Sequence, residues 1–183
     1  GELADRLRRC VRVGDSRSAL QDVRFAEQQV VELAVRALSP STNDPYTAVN
    51  AVEEVASGIV AAVARPLPGN TVVVDGVHRL RYGTVGVEEI VDMPFDQIGP
   101  HATGHVSVLL ALVDLAARIE AASVHPSVRR QAREHVDVLL TRFREGAPHP
   151  RDLARVEQLL NTRPRKVLGW ATPATVFTAK MSC

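Results

Sequence analysis

The densest group of side chains able to do chemistry lies in "ALSPSTNDPYT", residues 37–47. Ser39, Ser41, Thr42 and Asn43 crowd a short polar stretch, with Arg36 just before it and Asp44 just after. Hydroxyls and backbone N–H groups beside a helix N-terminus can hold an anion. On that reading Arg36, Ser39, Ser41, Thr42 and Asn43 bind a small molecule or anion, in a sensing or an enzymatic domain. Asp44 opposes it, because a carboxylate at the same helix end repels an anion and already serves as a cap. The alternative is a tightly specified turn between two helices, in which each of these residues does ordinary turn work.

"HATGH" places His101 and His105 four apart, with Asp96 nearby. Zinc sites use that spacing on a continuous helix, with a glutamate between the histidines. Here Pro100 and Gly104 point to a loop, the glutamate is missing, and two ligands do not close a site. Neither a metal nor any other cofactor is expected. Arg24, Glu27, Gln28, Glu32 and Arg36 follow one another along a single helical stretch. Glu32 and Arg36 stand four apart in the favourable order, and Glu27 lies three after Arg24. The pattern reads as a solvated face of ion pairs, with an interface lined by these groups as the sharper alternative.

Nothing resembles a phosphate loop, a dinucleotide fingerprint or a serine elbow, so no residue is assigned to catalysis. The basic stretches "RLRRCVR" and "PSVRRQAREH" are offset by acidic ones, leaving a formal net charge of +1. Nucleic acid is therefore not an expected partner of the body of the chain. Cys10 and Cys183 lie near opposite ends, which gives no disulfide framework and suits a reducing compartment.

Helices must position these groups, since apolar residues recur mainly at spacings of three and four. A first helix is predicted from about Leu20 to Leu38, with Val23, Val30, Ala34 and Leu38 on its apolar stripe. Pro40 ends it. A second starts at the Asp44 cap and Pro45 and runs to about Val63. "TVVVDGVHRLRYG" (71–83) changes to period two and reads as a β-hairpin about Asp75-Gly76. Helical pattern resumes over 87–98, where a kink or restart at Pro94 stays open, followed by a loop "GPHATG". Further helices are predicted from Val106 to Ala117, Ser127 to Phe143, and Arg151 to about Leu160.

The fold class is all-α, a bundle of five to six helices with one small β-hairpin. Hydrophobic residues make up 45% of the chain but aromatic ones only 4%, so its core packs small side chains at close range. Ala- and Val-rich helix faces make the chain itself, as a homo-oligomer, its expected partner. The longest apolar run, 106–119, falls short of the ~20 residues needed to cross a bilayer and contains Asp114. No signal peptide is read at the N-terminus, which opens on Gly1 and suggests a piece of something longer.

"LQDVRFAEQQVVELAVRALSPSTNDPYTAVNAVEEV" (20–55) resembles a bacterial family of predicted membrane proteins, the family of unknown function 2254. The resemblance rests on Gln21, Asp22, Phe25, Gln28 and Ala34, on Arg36 to Pro40, and on Asn43, Asp44, Pro45, Thr47 and Ala48. Ala26 stands where glycine is usual, and Glu32 where aspartate is. "EEIVDMPFDQIGPHATGHVSVLLALVDLAARI" (88–119) is a second similar segment, so the likeness spans about 10–145. It implies hydrophobic spans upstream in the complete protein, with this portion a soluble domain on the cytoplasmic face of the inner membrane. It implies no reaction.

The tail differs. "LLNTRPRKVLGWATPATVF" (159–177) holds the chain's one tryptophan, Trp170, and with Lys180 both of its lysines. It resembles the C-terminal end of insertion-sequence transposases with an integrase-type domain. Two parts follow: a helical domain at 1–150 and an appended tail at 151–183. The first functional expectation is a non-catalytic interaction and oligomerisation domain of a membrane protein, ahead of the ligand-sensing loop. A DNA-associated role through Arg163, Arg165 and Lys166 comes last.

Overall fold

The computed structural model describes residues 5–6, 15–20, 22–67, 69–146, 154, 158, 161–162 and 172. In chain order these form α1 (Val23–Ala37), α2 (Pro45–Val63), β1 (Thr71–Val74), β2 (Val77–Arg81) and α3 (Val87–Ile98). A 3-10 turn (Gly99–His101), α4 (Val106–Ala122) and α5 (Pro126–Gly146) follow. The architecture is the all-α bundle with one small hairpin that the periodicity predicts. The predicted helix from Arg151 to Leu160 lies almost wholly outside the described residues.

Local chemistry sets the helix ends. Asp22 caps α1 by accepting from the Phe25 N–H at 3.0 Å, and Arg17 grips the same carboxylate at 2.7 Å. The helix therefore starts after Leu20, which is 95% exposed. Of the predicted stripe, Ala34 and Leu38 are buried and Val30 packs against the core, whereas Val23 is 59% exposed; Glu27, Val31 and Ala37 are buried beside them. What the apolar stripe leaves out is Glu27, a charged residue type that the fold nonetheless turns inward. At α2 the expectation holds: Asp44 accepts from Tyr46 and Thr47 N–H, both at 3.1 Å, and Pro45 takes the first turn.

Pro94 sits within α3 without ending or restarting it, buried beside Met93 and Phe95. The predicted loop after it opens instead with the 3-10 turn, closed by Ala102 N–H to the Gly99 carbonyl at 3.1 Å. α5 comes close to the chain there: a Cβ on Gly99 would lie 3.1 Å from Leu139 Cδ2, so that side chain would have to shift by a few tenths of an ångström.

The helices close a circuit: α1 packs on α2, α2 on α4, α4 on α5, α5 on α3 and α3 on α1. Alanine and valine dominate the shared faces, including Ala34, Ala48, Ala51, Val52 and Ala56, and permit close approach. On α4, Val108, Leu109, Leu112, Leu115, Ala116 and Ile119 are all buried. Beyond α2, Val124 N–H donates to the Val63 carbonyl at 3.0 Å, fastening the α4–α5 link to the end of α2. Leu112 is fully enclosed. Replacing Leu112→Ala is expected to cost about 3 kcal/mol of stability by leaving a cavity that the neighbouring helices cannot fill. Urea denaturation followed by circular dichroism checks this.

Candidate functional site

The structure brings Ser39, Ser41 and Thr42 together. The Ser39 and Ser41 hydroxyls are 3.2 Å apart, and the Ser39 hydroxyl donates to Thr42 Oγ1 at 3.3 Å. The Ser39 carbonyl accepts from Thr42 N–H at 3.1 Å and Asn43 N–H at 2.8 Å, while Asp44 N–H reaches back to the Ala37 carbonyl at 2.8 Å. Asn43 adopts a left-handed conformation, φ 48°, which asparagine tolerates better than most residues. The Thr47 hydroxyl, with the Thr47 and Tyr46 N–H groups, holds the Asp44 carboxyl below the usual carboxylate range. Arg36 lies on the helix before the loop, donating to Glu32 at 2.8 Å in the i,i+4 pair that the spacing predicts. The backbone N–H groups of residues 42, 43, 44, 46 and 47 thus all have acceptors within the loop and caps.

His101 ends the 3-10 turn and is exposed; His105 is the half-buried N-cap residue of α4; Asp96 is exposed on α3. Among the described residues no group of three or more His, Cys, Asp or Glu side chains is arranged to hold a metal ion. Arg163, Arg165 and Lys166 lie outside the described residues, as do Cys10 and Cys183.

Two polar features escaped the sequence reading. Ser127, Gln131 and His135 stand at successive i,i+4 positions of α5 and meet Glu88 and Asp92 on α3. Ser127 donates to Glu88 at 2.9 Å, Gln131 to Asp92 at 2.5 Å, and His135 Nε2 lies 2.6 Å from the same Asp92 oxygen. The His135 ring stacks on Phe95, with centroids 4.4 Å apart. Ser127 and His135 are two helical turns apart, too far for a serine–histidine relay. This ladder instead fixes the register of α5 on α3. Its spacing was visible in the sequence; its partner helix was not.

Glu27 is the second feature. It is buried against the other helices, and among the described residues neither carboxylate oxygen has a hydrogen-bond partner. Burial pushes its carboxyl up to about 8, with the Arg24 charge opposing the shift. Arg24 itself turns to Glu89 of α3, at 2.7 Å. The expected solvated Arg24–Glu27 pair is thereby replaced: cross-helix packing draws the arginine outward and the glutamate in.

The folded Glu27 carboxyl binds its proton more tightly than the ordinary group at 4.5, so its contribution to stability is fully present below that value. It declines as pH rises from 4.5 to about 8 and is flat beyond. Glu27→Gln is expected to remove this slope, raising the melting temperature above pH 8 by several degrees and hardly at all near 4.5. Thermal melts of both proteins across that range check it.

The β-hairpin offers an open surface. Asp75 and Gly76, with φ of 52° and 73°, make the two-residue turn that suits strand twist. Thr71 pairs with Arg81, Val72 with Leu80, Val73 with His78 and Val74 with Val77, and Arg79 is the extra residue of a bulge in β2. Tyr82 continues the pairing, its N–H donating to the Asn70 carbonyl at 2.9 Å and its hydroxyl to the Gly69 carbonyl at 2.6 Å. Apart from half-buried Thr71, every residue of both strands is exposed.

Among the described residues, a five-helix bundle bearing an open hairpin is thus the kind of domain this is. Residues 1–118 match the family described as predicted membrane protein (DUF2254), and the chain belongs to that family. The uncharacterized proteins Rv1290c of Mycobacterium tuberculosis and Mb1321c of Mycobacterium bovis are each 32% identical to it over 139 residues. Those alignments cover 70% of this chain and 25% of each relative, so the chain spans about a quarter of the length of the curated relatives it matches. No solved structure matches it. Among the described residues no helix is long and apolar enough to cross a membrane.

Proposed function

We propose that this chain is a non-catalytic interaction and oligomerisation domain within a membrane protein, and that two copies meet along the free edge of β1. The observation that carries this reading is the asymmetry of the hairpin's two edges. β2 carries His78, Arg79 and Arg81, with the bulge at Arg79, features that discourage further strand pairing. β1 is Thr-Val-Val-Val, with no charge, proline or glycine, and among the described residues the sheet has only these two strands. Such an edge is a template for another strand.

Pairing β1 with its symmetry mate, antiparallel about a two-fold axis, would make a four-stranded sheet and relieve the marginal stability of a lone hairpin. The Ala- and Val-rich helix faces that suggested self-association from composition are occupied within the monomer, Ala34, Ala48, Val52 and Val108 being fully buried. The exposed hairpin is the surface left for such a contact. The loop at 39–44 and the tail at 159–177 play no part in this reading.

Sedimentation velocity over a concentration series tests it. The wild-type chain is expected to show a reversible monomer–dimer equilibrium. Val73→Glu is expected to weaken that equilibrium about tenfold or more, because each dimer would hold two carboxylates close to the new strand pair. The variant should keep its helical circular dichroism, since Val73 is exposed. A wild-type chain monomeric at every concentration, or a dimer indifferent to Val73→Glu, would contradict the proposal.

A further inference from the structure

We infer that the apolar face of the hairpin docks on an anionic lipid surface. Cross-strand pairing divides the hairpin into two unlike faces. Val72 with Leu80, Val74 with Val77, and Tyr82 beside them share one face; Thr71 with Arg81 and Val73 with His78 share the other. The five side chains of the first face are between 42% and 57% exposed. A cluster of large apolar side chains on one face of an exposed element marks a contact surface.

Size and charge together select the occupant. Five side chains about half exposed present roughly 400 Å² of apolar surface, about half of what each partner contributes to a stable protein–protein contact, ~800 Å². A second protein seated on this face alone would be weakly held. A bilayer has no such minimum, and a domain of a membrane protein is already concentrated beside one. Across residues 65–85 the charged side chains are Arg65, Arg79 and Arg81 against a single acid, Asp75. That excess of arginine suits acidic headgroups. Arg81 leaves β2 on the opposite face and Arg79 at the bulge, so their aliphatic stems would wrap the free edge of β2 to bring their guanidinium groups to headgroup phosphate. Tyr82, apolar in its ring and hydrogen-bonded through its hydroxyl at the base of the hairpin, is a side chain suited to the headgroup level.

This inference uses the same hairpin as the proposed self-association, but its face rather than its edge. The two are geometrically compatible, since edge pairing would lay two apolar faces side by side on one sheet. Either can fail without the other.

The test is flotation of the whole chain with two kinds of vesicle, phosphatidylcholine alone and phosphatidylcholine mixed with phosphatidylglycerol. The chain is expected to partition onto the mixed vesicles at least about tenfold more strongly, and to lose that preference at high salt. Val77→Asp combined with Leu80→Asp is expected to abolish partition, whereas Arg79→Ser with Arg81→Ser should remove the preference for the acidic lipid. Helical circular dichroism confirms that each variant remains folded. Leu80→Trp provides an independent readout: quenching of its fluorescence by brominated acyl chains, above the background of Trp170 alone, places the face in the lipid. Absence of partition by the folded chain would overturn the inference, as would binding indifferent to Val77 and Leu80. A dimer broken by the same two aspartates, without vesicle binding, would assign the face to a second copy instead.

Discussion

Close approach of α2 to both α1 and α4 is the interaction on which the rest of this structure depends. Ala48, Ala51, Val52, Val55, Ala56, Ile59 and Val63 are all buried along α2, and no large side chain holds its neighbours away. With so few aromatic residues, the core gains its stability from many small contacts at short helix separations. The circuit of helices then closes through α3 and α5, where the Glu88–Asp92 ladder and the glycine at Gly99 fix one sliding position. A core of this kind consumes the helix faces, and what it leaves unpartnered is the excursion between α2 and α3.

That division explains how much could be read in advance. The start of α2 was legible because Asp44-Pro45 is a local signal, complete within a few residues, and the hairpin because Asp75-Gly76 demands a particular backbone. On α1 the inward side of Val30, Ala34 and Leu38 was legible, but not the burial of Glu27, which is decided by the helices packed against it, since no local rule places a carboxylate inside. Pro94 remained open for a similar reason: a proline within a helix is tolerated or not according to its surroundings. The polar loop was legible as a turn: its three hydroxyls bond one another, and the N–H groups of Thr42, Asn43 and Asp44 find backbone carbonyls. Which residues form the working surface was harder to see. The alternation in β1 and β2 announces two faces, but only the fold tells that, among the described residues, no helix covers either one.

Membership in a family of predicted membrane proteins gives this arrangement a setting. The helical bundle turns a protonatable glutamate inward, and the exposed hairpin is the part of it for which we propose a partner. Its edge and its face make different demands of a partner: unpaired backbone for the edge, and an apolar, negatively charged surface for the face. Neither demand calls on the residues of the 39–44 loop, whose three hydroxyls bond one another and whose Asp44 carboxylate caps α2.

Amide hydrogen exchange of the whole chain across a concentration series examines the central claim most directly, because it reads the β1 edge itself. Exchange at Thr71–Val74 should slow as concentration rises, while the amides of α4, already in the core, remain unchanged. Equally fast exchange in β1 at every concentration would contradict the account and leave the hairpin edge without a partner among copies of this chain.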